Sequence, residues 1–261
     1  MKAKKREILL LLPSLAGFCF FYMAPFFRSL YYAFLDNAFS EKFALFGNFK
    51  SLFASEYFRL AIKNTFIFTI ISVPLIMLAS VTAAFLIAEC ALKIPFVRKA
   101  FFLPVLLPSA TVVAMMQAFF LEVPPFPSLL LVYLWKYMGL IVMLTLTSFT
   151  SLNGEMLEAA RIDGAGKLRT VISVCLPNMT PTLLFSLILS FVNSLKIYRE
   201  SFLLYGNYPD ESIYMLQNYL NNHFDKLNYQ NISAAAILIF AAVYIIVVIL
   251  LAIEKKAGEH L

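Results

Sequence analysis

The chain has 261 residues, 61% of them hydrophobic and only 14% charged, with 27 Phe against 8 Gly. Soluble domains carry roughly a quarter charged residues, so this composition argues against a soluble two-domain protein and for lipid as the solvent. Two His (His223, His260) and three Cys (Cys19, Cys90, Cys175), all widely spaced, give no metal-ligand pattern, no disulfide framework and no catalytic cluster.

About 20 apolar residues are needed to cross the hydrocarbon core, and six stretches qualify. The first, Ile8–Phe27, follows Lys2, Lys4, Lys5 and Arg6. Its length, its Pro13 and Pro25, and the lack of a small-residue cleavage site mark a retained helix rather than a cleaved signal. A loop over 36–60, with Gly47 and Asn48 near its middle, leads to the second span, Asn64–Ala88. The third, Ala100–Leu121, ends in a short proline-stiffened turn, EVPPFPS. The fourth, Ser128–Leu152, is interrupted only by Lys136. The fifth is Thr170–Leu195 and the sixth Leu227–Ile253, with a long loop over 198–231 between them. Within that loop, Met215 and Tyr219 have helical apolar spacing. Pro74, Pro104, Pro108 and Pro181 are kink candidates. The prediction is an all-α, polytopic membrane protein of six transmembrane helices, in a single domain over residues 1–261.

Basic residues concentrate on the side from which a chain does not translocate. With the N-terminus inside, the inner segments hold twelve Lys and Arg (Lys2 to Arg6, Lys93, Arg98, Lys99, Arg161, Lys167, Arg169, Lys255, Lys256) against seven Asp and Glu. That excess of five accounts for most of the net charge of +6, so nucleic acid is not needed to explain it. Both termini are then cytoplasmic, and so is the polar segment between the fourth and fifth spans.

That segment, NGEMLEAARIDGAGKLRTVISVCLP over residues 153–177, is a polar island between apolar spans. Asn153 suits an N-cap, and Glu155 suits the positive end of the helix dipole. Met156, Leu157, Ala160 and Ile162 supply apolar contacts, and Gly164 and Gly166 are natural stops. A second short helix would hold Leu168, Val171, Ile172 and Val174 before Pro177. Two readings fit: a helix–turn–helix elbow that lies in another protein's groove, or an amphipathic loop resting on headgroups. Gly164-Ala165-Gly166-Lys167 imitates part of a phosphate-binding loop, but that pattern requires Gly at 161 and Ser or Thr at 168. Arg161 and Leu168 stand there instead.

The spacing Glu158-Ala159-Ala160, three residues, Gly164, nine residues, Val174, one residue, Leu176-Pro177 resembles the cytoplasmic signature of binding-protein-dependent ABC transporter permeases. The Asp163-Gly164-Ala165 neighbourhood and the continuation LPNMTP look like the sugar-importer branch, similar to maltose and glycerol-phosphate permeases. The opening LLLLPSLAGFCFFYMAPFFRSLYYAF, Leu103-Pro104 with Leu107-Pro108, and Tyr205-Gly206-Asn207-Tyr208-Pro209 through Ser233 to Ala236 extend the likeness over nearly the whole chain. Val174 replaces the branch's usual Ile, and the loop after the third span is shorter than the branch's. The resemblance implies a coupling helix over 153–177 seated in an ATPase subunit, with Glu158, Ala159, Ala160, Asp163, Gly164, Leu176 and Pro177 at the contact. It also implies a second, non-identical permease, an ATPase dimer that binds the ATP and Mg, and an extracytoplasmic solute-binding protein. This chain itself would bind no cofactor, no metal and no nucleic acid and catalyse nothing, working in a bacterial cytoplasmic membrane.

Polar groups within spans usually face the bundle interior or a water-filled path. The candidates for a solute pathway are Gln117, Trp135, Lys136, Ser186, Ser190, Asn193 and Lys196. Ser186, Ser190 and Asn193 share a helical face, and an aromatic ring with hydroxyl and amide groups is the chemistry that holds a sugar. The competing readings are that Ser and Asn cement helix pairs and that Lys136 snorkels to the interface. At the level of function, the expected cargo is a sugar or oligosaccharide. A non-sugar solute (amino acid, polyamine, phosphate or peptide) is the alternative. A membrane enzyme would require clustered His, Asp or Glu, and a secondary transporter would show internal repeats and midplane carboxylates; the sequence has neither set.

Overall fold

The computed structural model describes residues 11–36, 42–89, 94–119 and 123–258, and the side chains of all these except 94–99, 119, 257 and 258. Lys2, Lys4, Lys5, Arg6, Glu7, Cys90, Lys93, Glu259 and His260 lie outside the described residues, as do the side chains of Arg98 and Lys99. Among the described residues, every named regular element is helical. The main helices are α1 (Leu11–Tyr32), α2 (Gly47–Ala54), α3 (Glu56–Glu89), α4 (Ile94–Leu106), α5 (Ser109–Phe119), α6 (Pro125–Thr150), α7 (Gly154–Ile162), α8 (Lys167–Thr170), α9 (Thr180–Leu195), α10 (Tyr198–Tyr205), α11 (Leu216–Asp225) and α12 (Tyr229–Gly258).

Among the described residues, five stretches are long and apolar enough to span a membrane: Leu11–Tyr32, Glu56–Glu89, Pro125–Thr150, Thr180–Tyr205 and Tyr229–Lys256. The bent pair α4–α5 makes a sixth if counted as one span. This agrees with an all-α polytopic protein and corrects two of its predicted helices. The third span is not one rod, because Ala100–Leu106 and Ser109–Ala118 meet at 113°. Pro108 lacks an amide donor and pushes Leu107 out of the helical region, so the ladder cannot continue through it. The fifth span is Thr180–Tyr205, displaced from the predicted Thr170–Leu195. Residues 196–205, with Lys196, Arg199 and Glu200, therefore belong to the span and not to a loop.

Two π turns, Cys19–Met23 and Val171–Cys175, each end two residues before a proline, Pro25 and Pro177. In an α-helix the proline ring would strike the carbonyl four residues back, here Phe21 and Ser173. Widening the turn lets Ala24 and Leu176 bond five residues back instead, to Cys19 and Val171.

The chain divides into two compact units. One comprises residues up to Arg59 together with Tyr219–Val243. In it the Ser29 hydroxyl donates to Ser233 at 3.2 Å, Ser51 donates to Asn231 at 3.1 Å, and Phe26 meets Phe240 edge-on. Asn48 secures the segment after α1, its amide donating to the carbonyls of Ala33 at 2.9 Å and Leu35 at 2.7 Å. His223 stacks on Tyr219 with centroids 4.2 Å apart, and its buried Nδ1 has no hydrogen-bond partner among the described residues.

Burial first, and then nearby Lys226, hold the His223 pKa below its ordinary 6.5. Because the folded pKa is the lower one, the unfolded chain binds the extra proton. The stability this group contributes is present above about pH 6.5 and is lost as pH falls toward the folded pKa. The purified protein is expected to melt lower at pH 5 than at pH 8, with the difference reduced in His223→Gln. Equal pH dependence in both proteins would show that His223 is not the titrating group.

The other unit comprises Leu60–Asn218 and Tyr244–Leu261, and α6 is its hub. Phe68, Ile76, Val112, Met116, Leu129, Val132, Tyr133, Ile141, Ile197 and Ile213 form the principal core. Ala84, Ile87, Val142 and Leu146 form a second cluster along α3 and α6. At Gly139 the backbones of α6 and α4 come so close that a Cβ would fall on the Phe101 carbonyl. Near the start of α3, Asn64 donates to the carbonyls of Glu211 and Tyr214, and the Thr65 hydroxyl accepts from the Leu216 amide at 3.0 Å. The segment 211–216 is thereby fastened to α3.

Candidate functional site

At the elbow, sequence and structure agree closely. Asn153 caps α7, its side chain accepting from the Glu155 amide at 2.9 Å. The far end closes in a Schellman pattern: Ala165 donates to Ala160 and Gly164 to Arg161, each at 3.0 Å. Gly164 takes φ +77°, the left-handed conformation that the motif demands and that a side chain would strain. The elbow presents Glu158, Ala159, Ile162, Asp163, Leu168 and Ile172 outward, with Ile162 85% and Leu168 71% exposed. Ala160 instead faces inward and is buried. Leu176 is half-buried and Pro177 exposed. The inner side of the elbow rests over a cavity of about 210 Å³ lined by Phe85, Phe149, Leu157, Val171 and Cys175. Lys167 reaches across to Glu89 at the end of α3, 2.6 Å away. Burial, and then Glu89, raise the Cys175 pKa, which favours the protonated thiol.

A second constellation lies within the spans. Lys136 of α6 and Glu200 of α10 form a buried ion pair, Glu200 being 1% exposed. Ser109, the first residue of α5, joins it by donating to Glu200 Oε1 at 2.6 Å and accepting from Lys136 Nζ at 3.0 Å. The Pro108 break puts Ser109 there, and it turns the positive end of α5 toward the carboxylate. Lys136 is therefore a buried partner rather than a snorkelling residue.

Beside this trio opens a cavity of about 440 Å³. Its walls are Ser109 from α5, Lys136 and Tyr137 from α6, Lys196 with Tyr198, Arg199 and Glu200 from the α9–α10 junction, and Gln217. Of the predicted pathway residues, the structure brings only Lys136 and Lys196 together here. Gln117 lines a separate cavity of about 180 Å³ with Met116, Ser128 and Tyr205. Trp135 packs half-buried against the core. Ser186 and Ser190 are fully buried; Ser190 donates to the Ser186 carbonyl, and its own carbonyl accepts from Tyr133 at 2.8 Å. Neither serine lines the 440 Å³ cavity. Asn193 is half-buried, its carbonyl accepting from the Lys196 amide.

Sequence reasoning missed Ser109, Tyr137, Arg199 and Glu200. A usable signal existed, since a lysine inside an apolar span requires a counter-charge and Glu200 is the nearest acid beyond the fifth apolar run.

Known proteins resemble the whole chain. Residues 95–255 match the family described as the binding-protein-dependent transport system inner membrane component. The multiple sugar-binding transport system permease protein MsmF of Streptococcus mutans is 28% identical, over 95% of this chain and 94% of that protein. The probable ABC transporter permease protein YurN of Bacillus subtilis is 24% identical, over 88% and 90%. A chain of a bacterial ABC transporter that imports the acidic polysaccharide alginate has the same fold, with a TM-score of 0.83 at 23% identity and 98% coverage of both chains. With the family match spanning well over half of the sequence, this chain belongs to the inner membrane components of binding-protein-dependent transport systems, and it is a multi-pass membrane protein.

Proposed function

We propose that this chain is a permease subunit of an ATP-driven importer of a sugar or oligosaccharide, and that its elbow couples it to the ATPase. The observation that carries the coupling is the outward face of α7 and α8. A short capped helix, closed by a left-handed glycine, leaves Ile162 and Leu168 uncovered beside Glu158 and Asp163. Apolar knobs rimmed by charge are what a groove in another protein receives. The sugar assignment draws on relatives such as MsmF, named as a multiple sugar-binding transport system permease.

In this reading the elbow is cytoplasmic, as the distribution of basic residues implies. Glu158 and Asp163 meet the ATPase cleft, and Ala159 permits close approach. Ala160 turns inward and ties the elbow to its own bundle, while Leu176 and Pro177 lead into α9. ATP and Mg bind a pair of separate ATPase subunits, and their closure drives the spans between inward and outward access. A second, non-identical permease completes the pathway, and an extracytoplasmic binding protein delivers the solute. A complex of this kind with an alginate pentasaccharide-bound periplasmic protein is known for a structural relative.

The proposal is tested with Glu158→Lys and Gly164→Val. Each is expected to reduce ATPase co-purification and to cut uptake tenfold or more, while the membrane-inserted level of this chain stays unchanged. Normal assembly and normal uptake in both variants would refute the coupling role.

A further inference from the structure

Within the α9–α10 junction, Lys196 and Arg199 are exposed in the second half of an apolar span. Both line the 440 Å³ cavity, which falls in the size range of small-molecule sites, roughly 300–1,000 Å³. A charge at membrane depth is costly unless it faces water, an opposite charge or a ligand. Lys136, the third cation in the wall, is already neutralised by Glu200. Lys196 and Arg199 make no ion pair with any described residue. The wall therefore carries two positive charges with no paired acid among the described residues, and their fields add within the concavity. The remaining wall offers the rings of Tyr137 and Tyr198 and the amide of Gln217.

Aromatic rings with an amide suit a polyhydroxylated ring, and two cations suit a carboxylate, sulfate or phosphate on that ring. We propose that the cavity is an anion-selecting station on the solute pathway, built for an acidic saccharide that bears carboxylate or acid-ester groups. The proposal rests on the sugar-importer reading and narrows its cargo. Lys196 and Arg199 take the acid group, while the Lys136–Glu200 pair holds the wall in shape and adds no net charge.

The test uses the complete importer, with both permeases, the ATPase subunits and the binding protein, in proteoliposomes. Three labelled probes are offered: an oligouronate, the neutral oligosaccharide of equal length, and inorganic phosphate. Uptake of the oligouronate in preference to the other two is expected. Lys196→Gln/Arg199→Gln is expected to lower it tenfold or more, and Lys196→Arg/Arg199→Lys to retain most of it. Equal or better uptake of the neutral oligosaccharide, unaffected by neutralisation, would overturn the proposal and leave the sugar-importer reading standing. Transport of neither saccharide, or of phosphate alone, would overturn both.

Binding to the wild-type transporter in detergent gives a measurement independent of how the variants fold. Tighter binding of the oligouronate than of the neutral oligosaccharide, weakening from 50 to 500 mM salt, supports the proposal. Equal affinity overturns it.

Discussion

Glu200→Gln is expected to destabilise the protein by about 3–5 kcal/mol, the usual cost of stranding one partner of a buried ion pair. The carboxylate is 1% exposed and engages Lys136 and Ser109 through a single oxygen, Oε1, while Oε2 has no hydrogen-bond partner among the described residues. With glutamine there, the buried Lys136 amine loses the carboxylate that pairs with it. The double variant Lys136→Met/Glu200→Leu removes both charges and is expected to recover most of the lost stability, since apolar replacement of a whole buried pair is often neutral. Thermal melting of the detergent-solubilised protein separates these outcomes. A Glu200→Gln protein that melts with wild type would mean that water reaches the pair. Three elements converge on this carboxylate, so its loss should also loosen the seating of α5 against α10.

Gly139→Ala gives the second large effect, from a single methyl group. The added carbon falls on the Phe101 carbonyl, which is backbone and cannot rotate aside. Relief requires α4 and α6 to separate, and overpacking of this kind costs about 1–3 kcal/mol or more. Gly139→Leu is expected to abolish recovery of folded protein. Gly17→Ala supplies the contrast: nothing lies within 4 Å of its added carbon, and alanine in a helix gains roughly 0.5–1 kcal/mol over glycine. The same chemical change thus has opposite signs at the two positions. Melting temperatures of the two variants measure this, and a Gly139→Ala protein as stable as wild type would contradict the close crossing.

The local devices of the elbow were legible in the sequence because they depend on neighbours in the chain. Asn153 caps, Gly164 turns left-handed and Glu155 sits in the first turn without help from distant residues. The six apolar stretches were legible for the same reason. Their ends were not. Lys196, Arg199 and Glu200 look like the edge of a loop in any hydropathy window. They continue a span because Lys136, 64 residues away along the chain, neutralises Glu200 and a cavity receives the other two. The sharp turn at Leu107–Pro108 was marked by its proline, but its size depends on the seat that Ser109 takes beside that pair. Ser186 and Ser190 show the converse: they share a polar face in the sequence, yet both are fully buried and neither lines the 440 Å³ cavity.

The two fastenings of α3 differ in strength. Near its start, Asn64 and Thr65 hold the 211–216 segment through hydrogen bonds made where Asn64 is 7% exposed. At its end, about 38 Å away at 1.5 Å per residue, Glu89 meets a Lys167 side chain that is 79% exposed. An exposed pair of that kind contributes about 0–1 kcal/mol. The helix is thus a strut bolted at one end and latched at the other. Breaking the exposed Glu89–Lys167 pair is therefore expected to cost less than breaking the bonds of Asn64 and Thr65.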